Sequence, residues 1–400
     1  MSQTTSQSDP VCIVGASRTP MGSFQGELDP VKAPELGAVA IRGALTDAGI
    51  AGGDVEEVIM GCVLAAGQRQ APARQASLGA GVPLSAGCTT VNKMCGSGMK
   101  AAMLAHDLLI AGSNDVMVAG GLESMSNAPY LLTRARSGYR MGNGEIYDHM
   151  FIDGLEDAYE PGRLMGSYAE DCAEQYQFTR ERQDEFAIES LRRAQQATAD
   201  GTAAREITPV TVNTRKGEAT VSEDEQPKRA NIDKIPKLRP AFREGGTVTP
   251  ANSSSISDGG AALVLMRRCE AEKRGLEPRA IILGHASHAQ APGLFTTAPI
   301  GAMNKLLHKL GWSSADADLY EVNEAFAVVT MAAMRELDIP RDKVNVHGGA
   351  CALGHPVGAS GARIMLTLLN ALEKYDLERG IASLCIGGGE ATAIAIQTCE

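Results

Sequence analysis

At 400 residues the chain exceeds one ordinary domain, and its 44% hydrophobic content suffices for a large core spread over two or three structural units. A net charge of −11 argues against general nucleic-acid or anionic-membrane binding, and no apolar run is long enough to span a bilayer. Only 4% is aromatic, so Ala, Val, Leu, Ile and Met must build the core, while nine cysteines without a CxxC pair speak against a disulfide framework and for a reducing, cytoplasmic setting.

The opening "MSQTTSQSDP" is polar, lacks the apolar stretch of a signal peptide and is expected to be a frayed lead-in. "ELGAVAIRGALTDAGI" (35–50) has the apolar spacing of an amphipathic helix closed by a glycine, and "VEEVIMGCV" reads as a strand. In "TTVNKMCGSGMKAAMLAHDLLIAG" (89–112) an apolar run stops at Cys95, and a glycine-flanked turn opens an Ala/Met/Leu-rich helix. A thiol at that seam meets the positive end of the helix dipole, which favours thiolate; the alternative is a buried cysteine acting as a small hydrophobe. The same residues match GxGxxA, a dinucleotide fingerprint, yet the next strand "VMVAGG" ends in Gly120-Gly121 where that mechanism needs an acid. His106, on the apolar helix, reads as a core or interface histidine.

From about 127 to 246 the chain turns polar, with one helix, "TRERQDEFAIESLRRAQQA", signalled by a Thr179 cap; this is expected to be an inserted lid or substrate domain. "PKRANIDKIPKLRPAFR" (227–243) sets Lys228, Arg229, Lys234, Lys237, Arg239 and Arg243 against the single acid Asp233, which suits either a polyanionic small ligand or a solvated linker. "NSSSISDGG" follows with hydroxyls and glycines. His285 and His288 are three apart without further ligands, so no metal is expected. "PIGAMNKLLHKLGW" (299–312) is a second amphipathic helix ending at glycine, and in "ADLYEVNEAF" Asn323 and Glu324 follow a strand. "NVHGGACALGHPVGASGAR" (345–363) places His355 in a glycine-flanked loop before a helix start. In "LCIGGGEATA", Cys385 ends a strand before three glycines whose N–H groups can stabilise an oxyanion.

These later pieces repeat the earlier ones. The helix 299–312 matches 35–50, "ADLYEVNEAF" matches "VEEVIMGCV", "VGASGARIM" matches "CGSGMKAAM", and "SLCIGGGEATA" matches "VMVAGGLESM", at a near-constant separation along the chain. Each half alternates strands and helices, the pattern of a mixed α/β sheet. Pseudo-symmetric halves would bring the two helix starts together across a cleft, with His355 placed to take the proton of Cys95.

"VNKMCGSGMKA", "NEAFA", "GGACALGHPVGASGAR" and "CIGGGEATA", in this order, resemble the thiolase family over about residues 10 to 399. The resemblance implies an α/β thiolase fold: a duplicated five-layer αβαβα core, with residues 10–126 and 247–275 as one half, 276–400 as the other, and 127–246 as an inserted loop domain. It implies Cys95 as acyl acceptor, His355 as its base, Cys385 as second acid/base, Asn323 as holder of an oxyanion water, and the N–H groups of Cys95 and Gly387 as a second oxyanion hole. It places Ser254, Phe242, Ala325, Phe326, Met165 and Phe295 along the acyl-CoA channel, with Lys228 and Arg229 toward the nucleotide phosphates. The implied activity is acetyl-CoA C-acetyl transfer, a Claisen condensation of two acetyl-CoA and its CoA-dependent reverse. Coenzyme A and acetyl-CoA are then substrates, with no tightly bound cofactor, and a homotetramer is expected. The alternatives are a broader-chain thiolase of fatty-acid degradation and a non-catalytic thiolase-like lipid carrier. Three positions depart from the family: Leu164 stands where biosynthetic relatives often carry His, Phe295 where some carry Met, and His347 replaces Asn.

Overall fold

The structure, a computed structural model, describes residues 9–215 and 217–399, so nearly all of the polar lead-in and the terminal Glu400 lie outside the described residues. The first lobe runs β1 (Val11–Arg18), α1 (Ala33–Ala48), β2 (Glu57–Gly61), α2 (Pro72–Gly79), β3 (Gly87–Val91), α3 (Ser97–Ile110) and β4 (Val116–Ser124). The insertion contributes α4 (Met165–Tyr176) and α5 (Arg180–Ala199), and β5 (Ser257–Arg267) then returns to the first lobe. The second lobe runs β6 (Ala280–Ala289), α6 (Ala298–Leu310), β7 (Leu319–Val322), α7 (Ala327–Glu336), α8 (Ser360–Tyr375), β8 (Arg379–Ile386) and β9 (Glu390–Thr398). Among the described residues no helix is long and apolar enough to cross a membrane.

Strand order makes the duplication visible. Outward from the centre, the first lobe reads β1-β5-β4-β2-β3 and the second β6-β9-β8-β7, and the lobes join where Cys12 and Ile13 of β1 pair Ile281 and Ala280 of β6. First strand, last strand, post-helix strand, pre-helix strand: the order is the same in both. β2 runs parallel to β3 and β4, and β7 parallel to β8, while the remaining core pairings are antiparallel. A parallel bridge from Tyr320 to Val344 occupies the place that β3 holds in the first lobe.

Three apolar clusters give the layers. One gathers α3 and α8 with the inner faces of both half-sheets, a second joins α1 and α2 to the outer face of the first, and a third joins α6 and α7 to the outer face of the second. The result is helix, sheet, helix pair, sheet, helix. As the composition requires, the core side chains are overwhelmingly Ala, Leu, Val, Ile and Met. The glycine closures of α1 and α6 are left-handed at Gly49 and Gly311, and Thr179 caps α5 through the N–H of Arg182.

A buried ion cluster clamps the insertion to the core. Arg18, at the end of β1, donates to Glu206 at 2.6 Å and to both oxygens of Asp224 at 2.6 and 2.9 Å. All three side chains are buried, so removing Arg18 would strand two uncompensated carboxylates.

Candidate functional site

α3 and α8 start face to face because no side chain separates them. A Cβ on Gly361 would lie 2.3 Å from the backbone N of Met99, and one on Gly98 would lie 2.9 Å from the N of Ala362. This backbone contact sets the spacing of what the two starts carry, Cys95 on one side and His355 on the other. Both line a cavity of about 350 Å³ closed by Phe151, Leu155, Met165 and Phe242 from the insertion.

Cys95 sits in a tight turn. Met94 before it is left-handed at φ 46°, costly for a residue with a side chain. Ser97 holds that turn: its hydroxyl donates to Met94 O at 2.6 Å and accepts from Lys93 N at 2.8 Å. The sulfur faces its own N–H and that of Gly387, which pull its pKa down, but burial outweighs them and pushes the thiol up to about 11. The helix start therefore does not make a resting thiolate, contrary to the reading from position alone; dehydration costs more than the dipole returns. Ultraviolet thiolate absorbance, taken as the difference between wild type and Cys95→Ser, should show no step below the ordinary thiol value of 9.0. A step near neutrality would contradict this account of the site.

His355 is buried, and only one of its nitrogens is engaged. Nδ1 lies 2.6 Å from Ser360 Oγ, whose hydroxyl donates to Pro356 O at 3.0 Å. That leaves Ser360 to accept from Nδ1–H, so the lone pair sits on Nε2, which has no hydrogen-bond partner. Burial first, and then the Arg363 cation, hold the imidazole down to about pKa 3, so it is neutral. Cys385, ending β8, is fully buried on the same cavity. Burial and the neighbouring Cys95 both push its thiol far above the usual range. The two thiols are coupled: an anion on one opposes an anion on the other.

Ten of the sequence-derived site residues line this cavity: Cys95, His355, Cys385, Gly387, Ser254, Phe242, Ala325, Phe326, Met165 and Phe295. Asn323 sits behind that wall. Its Oδ1 accepts from Arg363 at 3.2 Å, and its Nδ2 lies 3.4 Å from His355 Nδ1. Lys228 and Arg229 are not on the cavity; Lys228 pairs with Glu27 at 3.3 Å, and Arg229 with Glu225. Leu164 lines the cavity, and Phe295 stacks edge-on against Phe326 and Tyr168. His347 lies elsewhere, buried with neither ring nitrogen partnered.

The supporting residues were the ones missed. Buried Glu123 accepts N–H from Val63, Leu64 and Gly358 at 2.9, 3.0 and 2.9 Å, joining site loops of both lobes, and burial raises its pKa to about 7. Glu324 accepts from Ser190 at 2.7 Å, Asn345 at 2.9 Å and Cys351 N at 3.1 Å, tying α5 to the His355 loop. The signal was there: Glu123 is a lone acid in an apolar strand, Glu324 directly follows Asn323, and Ser360 and Arg363 lie inside the "GASGAR" motif.

Set beside known proteins, residues 11–269 match the model for the thiolase N-terminal domain, and residues 276–398 that for the thiolase C-terminal domain. The chain belongs to the thiolase family. Acetyl-CoA acetyltransferase 2 of Arabidopsis thaliana is 50% identical over 390 residues, 97% of this chain and 96% of that protein. Among solved structures, the Bacillus anthracis acetyl-CoA acetyltransferase superposes with a TM-score of 0.95 at 41% identity, covering 98% of this chain and 99% of the other. The Acat5 thiolase from Ascaris suum, solved in complex with coenzyme A, gives 0.91 at 40% identity, covering 98% and 100%. The thiolase fold is thereby shared along almost the whole length.

Proposed function

We propose that this thiolase is an acetyl-CoA C-acetyltransferase, condensing two acetyl-CoA to acetoacetyl-CoA and running the CoA-dependent reverse. The observation that carries this reading is the convergence of two thiols and a neutral imidazole on one cavity, with the Phe295 ring in its wall. Similarity to proteins named acetyl-CoA acetyltransferase supports it.

The resting state is thiol and free base. As the Cys95 sulfur attacks the thioester carbon, His355 Nε2 takes its proton, and the N–H groups of Cys95 and Gly387 face the developing oxyanion. Coenzyme A leaves as thiolate and takes the proton of Cys385. Acylation makes Cys95 a thioester that cannot ionise, so no anion there can oppose a Cys385 thiolate. Cys385 then removes the α-proton of the second acetyl-CoA, and the carbanion attacks the acetyl group on Cys95. The departing Cys95 thiolate recovers its proton from His355, whose low basicity makes it a ready donor. Ser254, Ala325 and Phe326 hold the pantetheine arm, and Ser360 and Arg363 keep the imidazole and the Asn323 amide in register.

Steady-state thiolysis across acyl lengths tests the substrate class. kcat/KM should fall at least about tenfold from acetoacetyl-CoA to 3-ketooctanoyl-CoA, and Phe295→Ala should recover most of the loss. Equal use of both substrates by the wild type would favour the broader-chain degradative reading. We also infer a self-associated, cytoplasmic protein. The partly exposed edge strand β3 pairs on one side only, and the nine cysteines are free; a single-chain mass by light scattering would overturn the first inference and an oxidising compartment on fractionation the second.

A further inference from the structure

Away from the cavity, three donor groups from the two lobes converge. His106 and Asp107 lie on α3 and His285 on β6. His106 Nδ1 is 3.0 Å from Asp107 Oδ1, His285 Nε2 is 2.9 Å from the same oxygen, and all three donor atoms lie within 4.8 Å of one another. The two rings meet edge to face with centroids 5.1 Å apart, and both side chains are mostly buried while Asp107 faces solvent. Spacing along the sequence could pair His285 only with His288; the fold supplies the other ligands from the opposite lobe.

The separations suit a metal. For bonds of about 2.0 to 2.1 Å, adjacent ligands of a divalent ion stand about 2.9 Å apart at a right angle and about 3.3 Å apart in a tetrahedron. Two of the donor pairs already stand at that distance, and the third lies within 4.8 Å, so the two rings need only close toward a shared ion. Two imidazole nitrogens and one carboxylate oxygen, open on the solvent side, form a borderline donor set suited to zinc, nickel or copper rather than to magnesium or calcium.

We propose that His106, Asp107 and His285 form a binding site for a first-row divalent cation, zinc in the cell, which ties α3 of the first lobe to β6 of the second. The ion would replace the protons that the imidazoles share with Asp107 and add a cross-lobe link beyond the short β1–β6 contact. Lys309 is the neighbouring charge that opposes it, since its cation disfavours charge at His285.

Equilibrium dialysis of the full-length protein against Zn²⁺, with metal analysis, tests the proposal. One ion per chain is expected, bound at least about tenfold more weakly in His106→Ala, His285→Ala and Asp107→Asn, and unchanged in Cys269→Ser, which removes the exposed thiol beside Asp9. Lys309→Ala should tighten binding. Zn²⁺ should raise the melting temperature of the wild type but not of His285→Ala, and Cu²⁺ at the site should show imidazole nitrogen couplings in its electron paramagnetic resonance spectrum. Binding indifferent to both histidine variants, binding lost with Cys269, or copper without nitrogen coupling would each overturn it. Circular dichroism matched to the wild type identifies folded variants, and the copper spectrum of the wild type needs no variant at all.

Discussion

Cys385→Ser is expected to split the reaction: Cys95 still becomes acetylated by acetyl-CoA, while acetoacetyl-CoA formation falls by about a thousandfold, within the range that a positioned acid or base supplies. Cys95→Ala should abolish both steps. The asymmetry follows from the environments. Cys95 has Gly387 N–H and its own N–H directed at the sulfur, so an oxyanion and a leaving thiolate are both accommodated there. Cys385 is fully buried, and apart from its own backbone N–H nothing on it favours an anion; acylation of Cys95 removes a neighbouring thiol whose ionisation would oppose it. A serine in its place is far too weak an acid to form the anion at all. Mass spectrometry of the protein after brief exposure to acetyl-CoA reads the first step, and the thioester-enolate absorbance of acetoacetyl-CoA reads the second. Wild-type condensation by Cys385→Ser would remove this thiol from the chemistry. Loss of acetylation together with condensation would instead make its role structural.

The legible part of the site was the part written as local pattern. Glycine-flanked turns, strand-ending cysteines and a repeated helix start are short-range signals, and they located Cys95, His355 and Cys385, while the resemblance picked Gly387 from the glycines that follow. The duplicated halves were legible for the same reason, since each repeat keeps its own periodicity, and strand order reproduces the pairing read from the chain. What was not legible depends on long-range burial. The resting protonation of Cys95 is decided by how much water the folded cavity excludes, and no local motif reports that. Glu123 reaches from β4 to Gly358 in the other lobe, a contact no spacing rule anticipates. The basic run 227–243 looked like one patch, yet the fold spends Lys228, Arg229 and Arg243 on separate acids, Glu27, Glu225 and Glu174 among them. His106 and His285 failed for the same reason: they are remote in sequence and adjacent only across the lobes.

Gly361→Ala should cost activity and stability together. Its new Cβ would sit 2.3 Å from the backbone N of Met99 and 2.8 Å from the Met99 Cβ, and a backbone atom at a helix start cannot rotate aside. The helices must part instead, by about 1 Å. A displacement of that size between catalytic groups costs about a hundredfold in rate, and overpacking a tight core costs about 1–3 kcal/mol. Gly53→Ala is the matched control, since nothing lies within 4 Å of the added carbon, and it should leave rate and melting temperature unchanged. Gly98→Ala should resemble Gly361→Ala in milder form, because its nearest obstacle, the N of Ala362, is 2.9 Å away. Both glycines serve one contact, so once the first substitution has separated the helices the second meets less resistance. The double variant should therefore lose less than the two single losses combined. Full additivity, or an active and stable Gly361→Ala, would show that something other than this backbone contact sets the distance from the Cys95 sulfur to the His355 ring.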